Sequence, residues 1–157
     1  LNNVDVEQLA NLSSTQVQKL SSAQLNALSS TALQALETGD VQAMSSTQIQ
    51  AFESQDIGQL STLALRGLGT DDVAALTGTQ AAGLTSAQIA ALTSQQFVGL
   101  TAGQIAAIDA IDLQGVSTAV LAQMTTTQVQ ALTPAQRSGV RAAMTSDMWP
   151  PPEPPMR

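Results

Sequence analysis

The sequence predicts an all-α solenoid of very short stacked helices, with one helix in each eight-residue repeat. The first observation is that an aliphatic residue, Met or Phe occupies every eighth position from Val4 to Val140 without interruption. The second is that Ser or Thr commonly follows this residue, with Gln three positions later. Self-similarity at a fixed period is the signature of repeat architectures. We number the positions of each repeat one to eight, starting from the recurrent apolar residue.

Positions two and five predict how each helix begins. Position two is Ser, Thr, Asp or Gly in fifteen of the seventeen repeats that start between Val4 and Leu132, and position five is Gln in ten of them. In a capping box, each of these two side chains satisfies a free backbone N–H at the start of a helix. The pairs that we expect to act as caps include Ser13 with Gln16, Ser21 with Gln24, Ser45 with Gln48, Thr85 with Gln88, and Thr125 with Gln128.

Positions one, six and eight predict how the helices pack. Position one precedes the cap and position six is the fourth helical residue, so their side chains form a hydrophobic staple. Position eight is Ala or Gly in thirteen repeats, which suits a crowded turn between two helices. Because a six-residue helix is not stable alone in water, these helices must stack on one another. The predicted core includes Leu12, Leu20, Leu28, Leu36, Leu60, Leu76, Leu84, Leu92 and Leu100.

Two other architectures are tested by geometry. In one continuous α-helix each repeat would turn the apolar pair by about 80°, so no partner could cover the resulting stripe. In a single strand, positions one and six would point to opposite faces. A β-solenoid with turns inside each repeat remains the alternative, although Gln and Ala at the interior positions favour a helix.

A longer period indicates two helices in each layer. Position eight alternates between Gly and Ala from Gly67 to Gly115, which gives a sixteen-residue spacing. Asp40, Asp56 and Asp72 show the same spacing at position five. We therefore expect a layer of two helices joined by unequal turns. If these aspartates stack in register, they form an acidic stripe, which solvates the surface or binds Ca²⁺.

The C-terminal end departs from the repeat. Arg137 replaces the apolar residue at position six, and the repeat that begins at Val140 lacks the capping pattern. The segment after Trp149 has five prolines in six residues, which favours an extended polyproline II conformation. We expect residues 1–147 to form the solenoid and residues 148–157 to form a Pro-rich tether, with Trp149 sealing the core or anchoring a partner.

The composition excludes most chemistry. The formal net charge is −7, which argues against nucleic acid and anionic membranes as partners. The chain has no Cys and no His, so we expect no disulfide, no cofactor, no zinc or copper site and no catalytic imidazole. No apolar run is long enough to insert in a membrane. The composition still allows a nucleophilic Ser that is activated by Lys19. The hydroxyl groups lie at cap positions, however, so we expect that the protein is not an enzyme.

The stretches Leu84-Thr-Ser-Ala-Gln-Ile-Ala-Ala-Leu92 and Met124-Thr-Thr-Thr-Gln-Val-Gln-Ala-Leu132 resemble L-[ST]-[ST]-x-Q-[VI]-x-A arrays. Such arrays occur in large secreted and surface bacterial proteins that are described as adhesin-like. The resemblance implies an extracellular or cell-surface location and a structural role as a fibre subunit, stalk or spacer. Self-association, end-to-end or lateral, or binding to other surface proteins is then expected. The alternative is a solenoid module that binds a protein, a peptide or a glycan.

Overall fold

A computed structural model describes residues 13–143, which contain fifteen short α-helices and one 3-10 helix. The helices are α1 (Ser14–Val17), α2 (Ser22–Asn26), α3 (Ser30–Ala35), α4 (Thr38–Ala43), α5 (Ser46–Ala51), α6 (Ser54–Gln59), α7 (Thr62–Arg66), α8 (Thr70–Ala75), α9 (Gly78–Ala82), α10 (Ser86–Ala91), α11 (Ser94–Gly99), α12 (Ala102–Ala107), η1 (the 3-10 helix, Asp112–Gly115), α13 (Thr118–Leu121), α14 (Thr126–Ala131) and α15 (Pro134–Ala143). No residue between 13 and 143 lies in a strand. The predicted all-α solenoid is confirmed.

Three helices, and not two, make one coil of the solenoid. Each helical segment packs against the third segment that follows it, as α1 packs on α4 and α4 on α7, and this spacing continues through η1 to α15. One coil therefore takes three of the eight-residue repeats. The predicted layer of two helices is wrong. Two helices in a layer would have placed each helix against the second one that follows.

The three-helix coil gives the solenoid three faces, which we name A, B and C. Face A consists of α1, α4, α7, α10, η1 and α15; face B of α2, α5, α8, α11 and α13; and face C of α3, α6, α9, α12 and α14. Because every coil winds in the same sense, the helices of one face all run across it in the same direction.

The glycines at position eight allow neighbouring coils to approach closely. A Cβ atom on Gly67 would lie 2.7 Å from the carbonyl oxygen of Thr38, which is closer than real Cβ atoms come. Gly83 meets the backbone of Ser54 in the same way and at the same sequence separation. Gly67 and Gly83 lie on different faces, and no described residue has a positive φ. At Gly67 and Gly83 the absence of a side chain therefore permits a contact between coils and does not mark a special turn conformation.

Positions one and six fill the space between the three faces. Among the leucines predicted for the core, those at 28, 36, 60, 76, 84, 92 and 100 are buried, and Leu20 is partly buried and packs against the cluster. The position-six side chains from Val17 to Leu121 contribute the other half of this core. Phe52 and Phe97 are buried in it. Leu12 lies outside the described residues.

The loss of the cap at the C-terminal end lengthens the last helix. Helix α15 runs for ten residues from Pro134, across the boundary at Val140 where the earlier repeats would stop and restart. Arg141 occupies the place of the cap and cannot accept a hydrogen bond from the backbone. Val140 remains buried, so the core continues under this helix. The predicted tether at 148–157 and Trp149 lie outside the described residues.

Candidate functional site

The predicted caps lie at the corners between helices. Backbone N–H groups of Ser13, Ser21, Ser45, Thr85 and Thr125 donate to the Oε1 atoms of Gln16, Gln24, Gln48, Gln88 and Gln128 at 2.8, 2.9, 2.9, 2.9 and 2.8 Å. At four of these corners, all except the first, the hydroxyl of Ser or Thr accepts from the Gln backbone N–H at 3.3 Å. These residues therefore start the helices α1, α2, α5, α10 and α14.

Three of these glutamines, Gln48, Gln88 and Gln128, also connect successive coils. The amide Nε2 of Gln88 donates to the carbonyl oxygens of Ile57 and Leu60 at 2.7 and 2.8 Å. These carbonyls lie at the C-terminal end of α6, where backbone carbonyls run out of intrahelical donors. The Ile57 carbonyl also accepts the Leu60 N–H, at 3.2 Å. Equivalent bonds reach back 28 residues from Gln48, Gln80, Gln96, Gln104, Gln128 and Gln136. One side chain thus satisfies the start of its own helix and the end of a helix in the previous coil.

These glutamine corners are buried. Gln88 is 2% exposed, and the other six glutamines that bridge coils are at most 8% exposed. Within residues 13–143, no buried side-chain nitrogen or oxygen atom lacks a hydrogen-bond partner. Because an unpaired buried polar group is unfavourable, the bridges fix which coil stacks on which.

The sequence signal for the bridging role is that position five holds Gln and not Glu. Glu would complete a capping box as well as Gln does. Position five nevertheless holds ten Gln and no Glu in the seventeen repeats. Only the amide carries N–H donors for a carbonyl, since an ionised carboxylate only accepts. The bridging role was missed because the capping box alone accounts for the Gln.

The aspartates at position five do not form an acidic stripe. Asp40, Asp56 and Asp72 lie on faces A, C and B, because two repeats are two thirds of a coil. The condition for an acidic stripe, stacking in register, is therefore not met, and the three aspartates do not lie along one edge that could bind Ca²⁺. Asp72 instead accepts a hydrogen bond from the Ser46 hydroxyl of the previous coil at 2.8 Å. No three His, Cys, Asp or Glu residues of the described range come together as a metal site.

Asp112 makes the equivalent contact on face A. Its carboxylate accepts a hydrogen bond from the hydroxyl of Ser86, also 26 residues earlier. Asp71 is exposed at the start of α8, and Asp109 is exposed before η1. The acidic side chains therefore lie near helix starts, where negative charge is favourable.

Face A differs from the other two faces. Its helices and their connections carry Lys19, Arg66, Arg137 and Arg141, which are all the basic residues of the described range, with Glu37, Asp40, Asp109 and Asp112. Faces B and C have only acidic charges, Asp71 and Asp72 on B and Glu53 and Asp56 on C. The two large hydrophobic side chains that are exposed in the described range, Leu63 at 66% and Ile111 at 68%, also lie on face A.

The grooves on the surface are shallow and open to solvent. One groove of about 500 Å³ lies where face C meets face A, between Glu37 and Leu63. A second, of about 680 Å³, lies at the glutamine corner of Gln48. Neither groove has an aromatic lining residue. Lys19, the only lysine, is exposed after α1 and lines neither groove.

The sequence matches a known repeat. The family model of the ALTTAQ repeat matches residues 49–86 and 105–139. Ala131-Leu132-Thr133-Pro134-Ala135-Gln136 shows the correspondence, with the capping Thr and the bridging Gln in their places. This supports a repeat array. Neither a curated protein nor a solved structure matches the chain. Within residues 13–143, every helix is too short or too polar to cross a membrane.

Proposed function

We propose that this chain is a non-catalytic structural repeat protein, a spacer or fibre segment that works outside the cell or at a bacterial cell surface. The observation that carries the proposal is the use of the buried polar groups. Every polar side chain that is buried between residues 13 and 143 is a glutamine that bridges two coils. In enzymes, buried polar side chains often form the active site. In this chain they all form hydrogen bonds between neighbouring coils.

The geometry suits a spacer. Each coil adds one helix to each face, and helices pack with their axes about 8–10 Å apart. Face A has six helical segments, so it spans about 45 Å at this spacing. A repeat array is extended by adding coils without changing those already present. Length is therefore the property that this architecture controls most directly.

A binding module is the competing function. Recognition surfaces depend on a few aromatic or Arg anchors in well-formed pockets. Phe52 and Phe97 are both buried, at 4% and 0% exposure, and no exposed aromatic residue lies between residues 13 and 143. The exposed arginines of face A line neither of the two grooves. The spacer is therefore the better supported proposal.

The test is a length series. Chains with one or two extra coils, each of three repeats copied from residues 84–107, are compared by small-angle X-ray scattering and negative-stain electron microscopy. We expect the maximum dimension to increase by about 9 Å for each coil at constant cross-section. Compact particles whose dimensions do not grow linearly with the number of coils would contradict the spacer.

A further inference from the structure

The exposed apolar side chains of face A form an alternating ladder. Position four of successive face A segments holds Thr15, Gly39, Leu63, Ala87, Ile111 and Ala135, and all six residues are exposed. From Gly39 onward, large and small side chains alternate from coil to coil. The corresponding ladder on face B is Ala23, Thr47, Asp71, Gln95 and Ala119, and on face C it is Thr31, Gln55, Thr79, Gly103 and Thr127. Only face A combines two large apolar side chains with small apolar neighbours above and below them.

The charges of face A balance, while those of the chain do not. Four basic and four acidic residues give face A a formal charge of zero, whereas the whole chain carries −7. Two copies that meet through face B or C would bring only acidic groups together. Face A is therefore the face through which two copies repel each other least.

The positions of these charges select a relative direction. The acidic pairs Glu37 with Asp40 and Asp109 with Asp112 lie at helix starts, while Arg66 and Arg141 lie in last turns. When two copies meet face to face with parallel solenoid axes, helix starts lie opposite helix ends. With antiparallel axes, starts lie opposite starts, and acidic groups face acidic groups.

The ladder selects the register. A shift of one coil places Leu63 of one copy opposite Ala87 of the other, and Ile111 opposite Ala135. The same shift places Asp109 opposite Arg141 of the second copy, one coil further along. Without the shift, Leu63 would meet Leu63 and the charges would not pair.

We propose that face A is a lateral docking surface for a second copy of this chain, with parallel axes and a stagger of one coil. The inference deepens the proposed structural role and depends on it, because staggered pairing is how spacer segments would bundle into a thicker fibre. A face about 45 Å long and one short helix wide is at the small end of specific interfaces. The isolated pair is therefore weak, and longer arrays pair more strongly because each coil adds contacts.

Sedimentation velocity over a concentration series tests the surface. The variant Leu63→Gln with Ile111→Gln should weaken pairing at least tenfold, while Thr47→Gln on face B and Thr79→Gln on face C should not change it. All four positions are exposed, so the fold is preserved and is checked by circular dichroism. Pairing that survives in the face A variant, or that the control variants weaken equally, would overturn the proposal.

Insertions separate the face from the fold. One extra repeat copied from residues 84–91 and placed after Ala91 leaves every capping box intact but moves Ile111 and Arg141 off face A. Three extra repeats add a full coil and return them to face A. We expect pairing to be lost with one added repeat and kept with three. Equal pairing of both insertion variants would exclude face A.

A charge exchange tests the direction and the stagger. Asp109→Arg and Arg141→Asp should each weaken pairing, and the double variant should recover at least half of the loss on a logarithmic scale. Single variants that weaken pairing without recovery in the double variant would refute the parallel, staggered arrangement. A wild-type chain that stays monomeric at every concentration would refute the docking surface, while the length series would still decide the spacer function independently.

Discussion

Replacing Gln88 by Ala tests whether the buried glutamines hold the coils together. The substitution removes the hydrogen bond from Thr85 N–H, at 2.9 Å, and the two bonds to Ile57 and Leu60 in the previous coil. The Thr85 N–H and the Leu60 carbonyl then lose their partner, while the Ile57 carbonyl keeps the Leu60 N–H at 3.2 Å. The helix itself should tolerate Ala, because Ala64 occupies the same position in α7 and is buried there.

The expected loss of stability follows from the three hydrogen bonds that are removed. An intramolecular hydrogen bond contributes about 1 kcal/mol net, and leaving a buried partner unsatisfied costs about 1–3 kcal/mol. Because the corner lies close to the surface, water can reach some of the freed groups, so we take the lower value for each. The free energy of unfolding should fall by about 3 kcal/mol, which lowers the melting temperature by about 6–12 °C in a chain of this size.

The measurement is urea unfolding followed by circular dichroism, with Gln55→Ala as the matched control. Gln55 is exposed on α6 and its side chain forms no hydrogen bond within residues 13–143, so its replacement should change the free energy of unfolding by less than about 0.5 kcal/mol. Amide hydrogen exchange of Thr85 gives a local readout, and its protection should be lost. If Gln88→Ala is no more destabilising than the control, the glutamine bridge does not hold the coils.

Replacing Gln88 by Glu should make the stability of the protein depend on pH. Burial and the two facing carbonyl oxygens should raise the pKa of the introduced carboxyl above its unfolded value of about 4.3. The protonated form can still donate one hydrogen bond. The variant should therefore approach wild-type stability below about pH 4 and lose stability as the pH rises through the raised pKa. A difference from wild type that does not change with pH would show that the carboxyl is not held against the carbonyls.

Further predictions concern contacts between coils. Gly83→Ala should destabilise the protein by about 1–3 kcal/mol in thermal unfolding, because its Cβ would enter the backbone of Ser54. Gly103→Ala, where nothing lies within 4 Å of the new Cβ, should stabilise it by about 0.5 kcal/mol; the opposite order would contradict the described spacing of the coils. Ser46→Ala removes the hydrogen bond to Asp72, and urea unfolding should show a loss of about 1 kcal/mol. No loss would mean that this contact is exchanged for water without effect.

The local structure could be predicted because its causes lie within one repeat. The capping pair Thr85 with Gln88 and the buried pair Leu84 with Ile89 each lie within a single repeat, so their spacing determines the helix start and its apolar side. A local cause also explains the length of α15, because Arg141 occupies the cap position and a new helix does not start there. Each of these features needs only the geometry of a single helix.

The number of helices in a coil could not be predicted from the same pattern. A uniform eight-residue period is compatible with any number of repeats in each coil, and the sixteen-residue coincidences of Asp40, Asp56 and Asp72 pointed to two. The signals for three were weaker. Leu63 and Ile111 are six repeats apart, a separation that fits coils of two repeats as well as coils of three. The contacts that show three helices in each coil, such as the bond from Gln88 to the Leu60 carbonyl, join residues of different repeats. Every repeat offers the same amide and the same carbonyls, so the sequence does not show which repeat bonds to which.

The reach of the glutamine bridge also bears on how the chain acquires its structure. Each bridge joins residues 28, 30 or 31 positions apart, and always back towards the N-terminus. In a growing chain, each new bridging glutamine therefore finds the carbonyls that it binds in the coil made before it. Short sequence separations favour rapid folding. Such a chain can fold progressively as it leaves a ribosome, with each new coil packing on the one already formed.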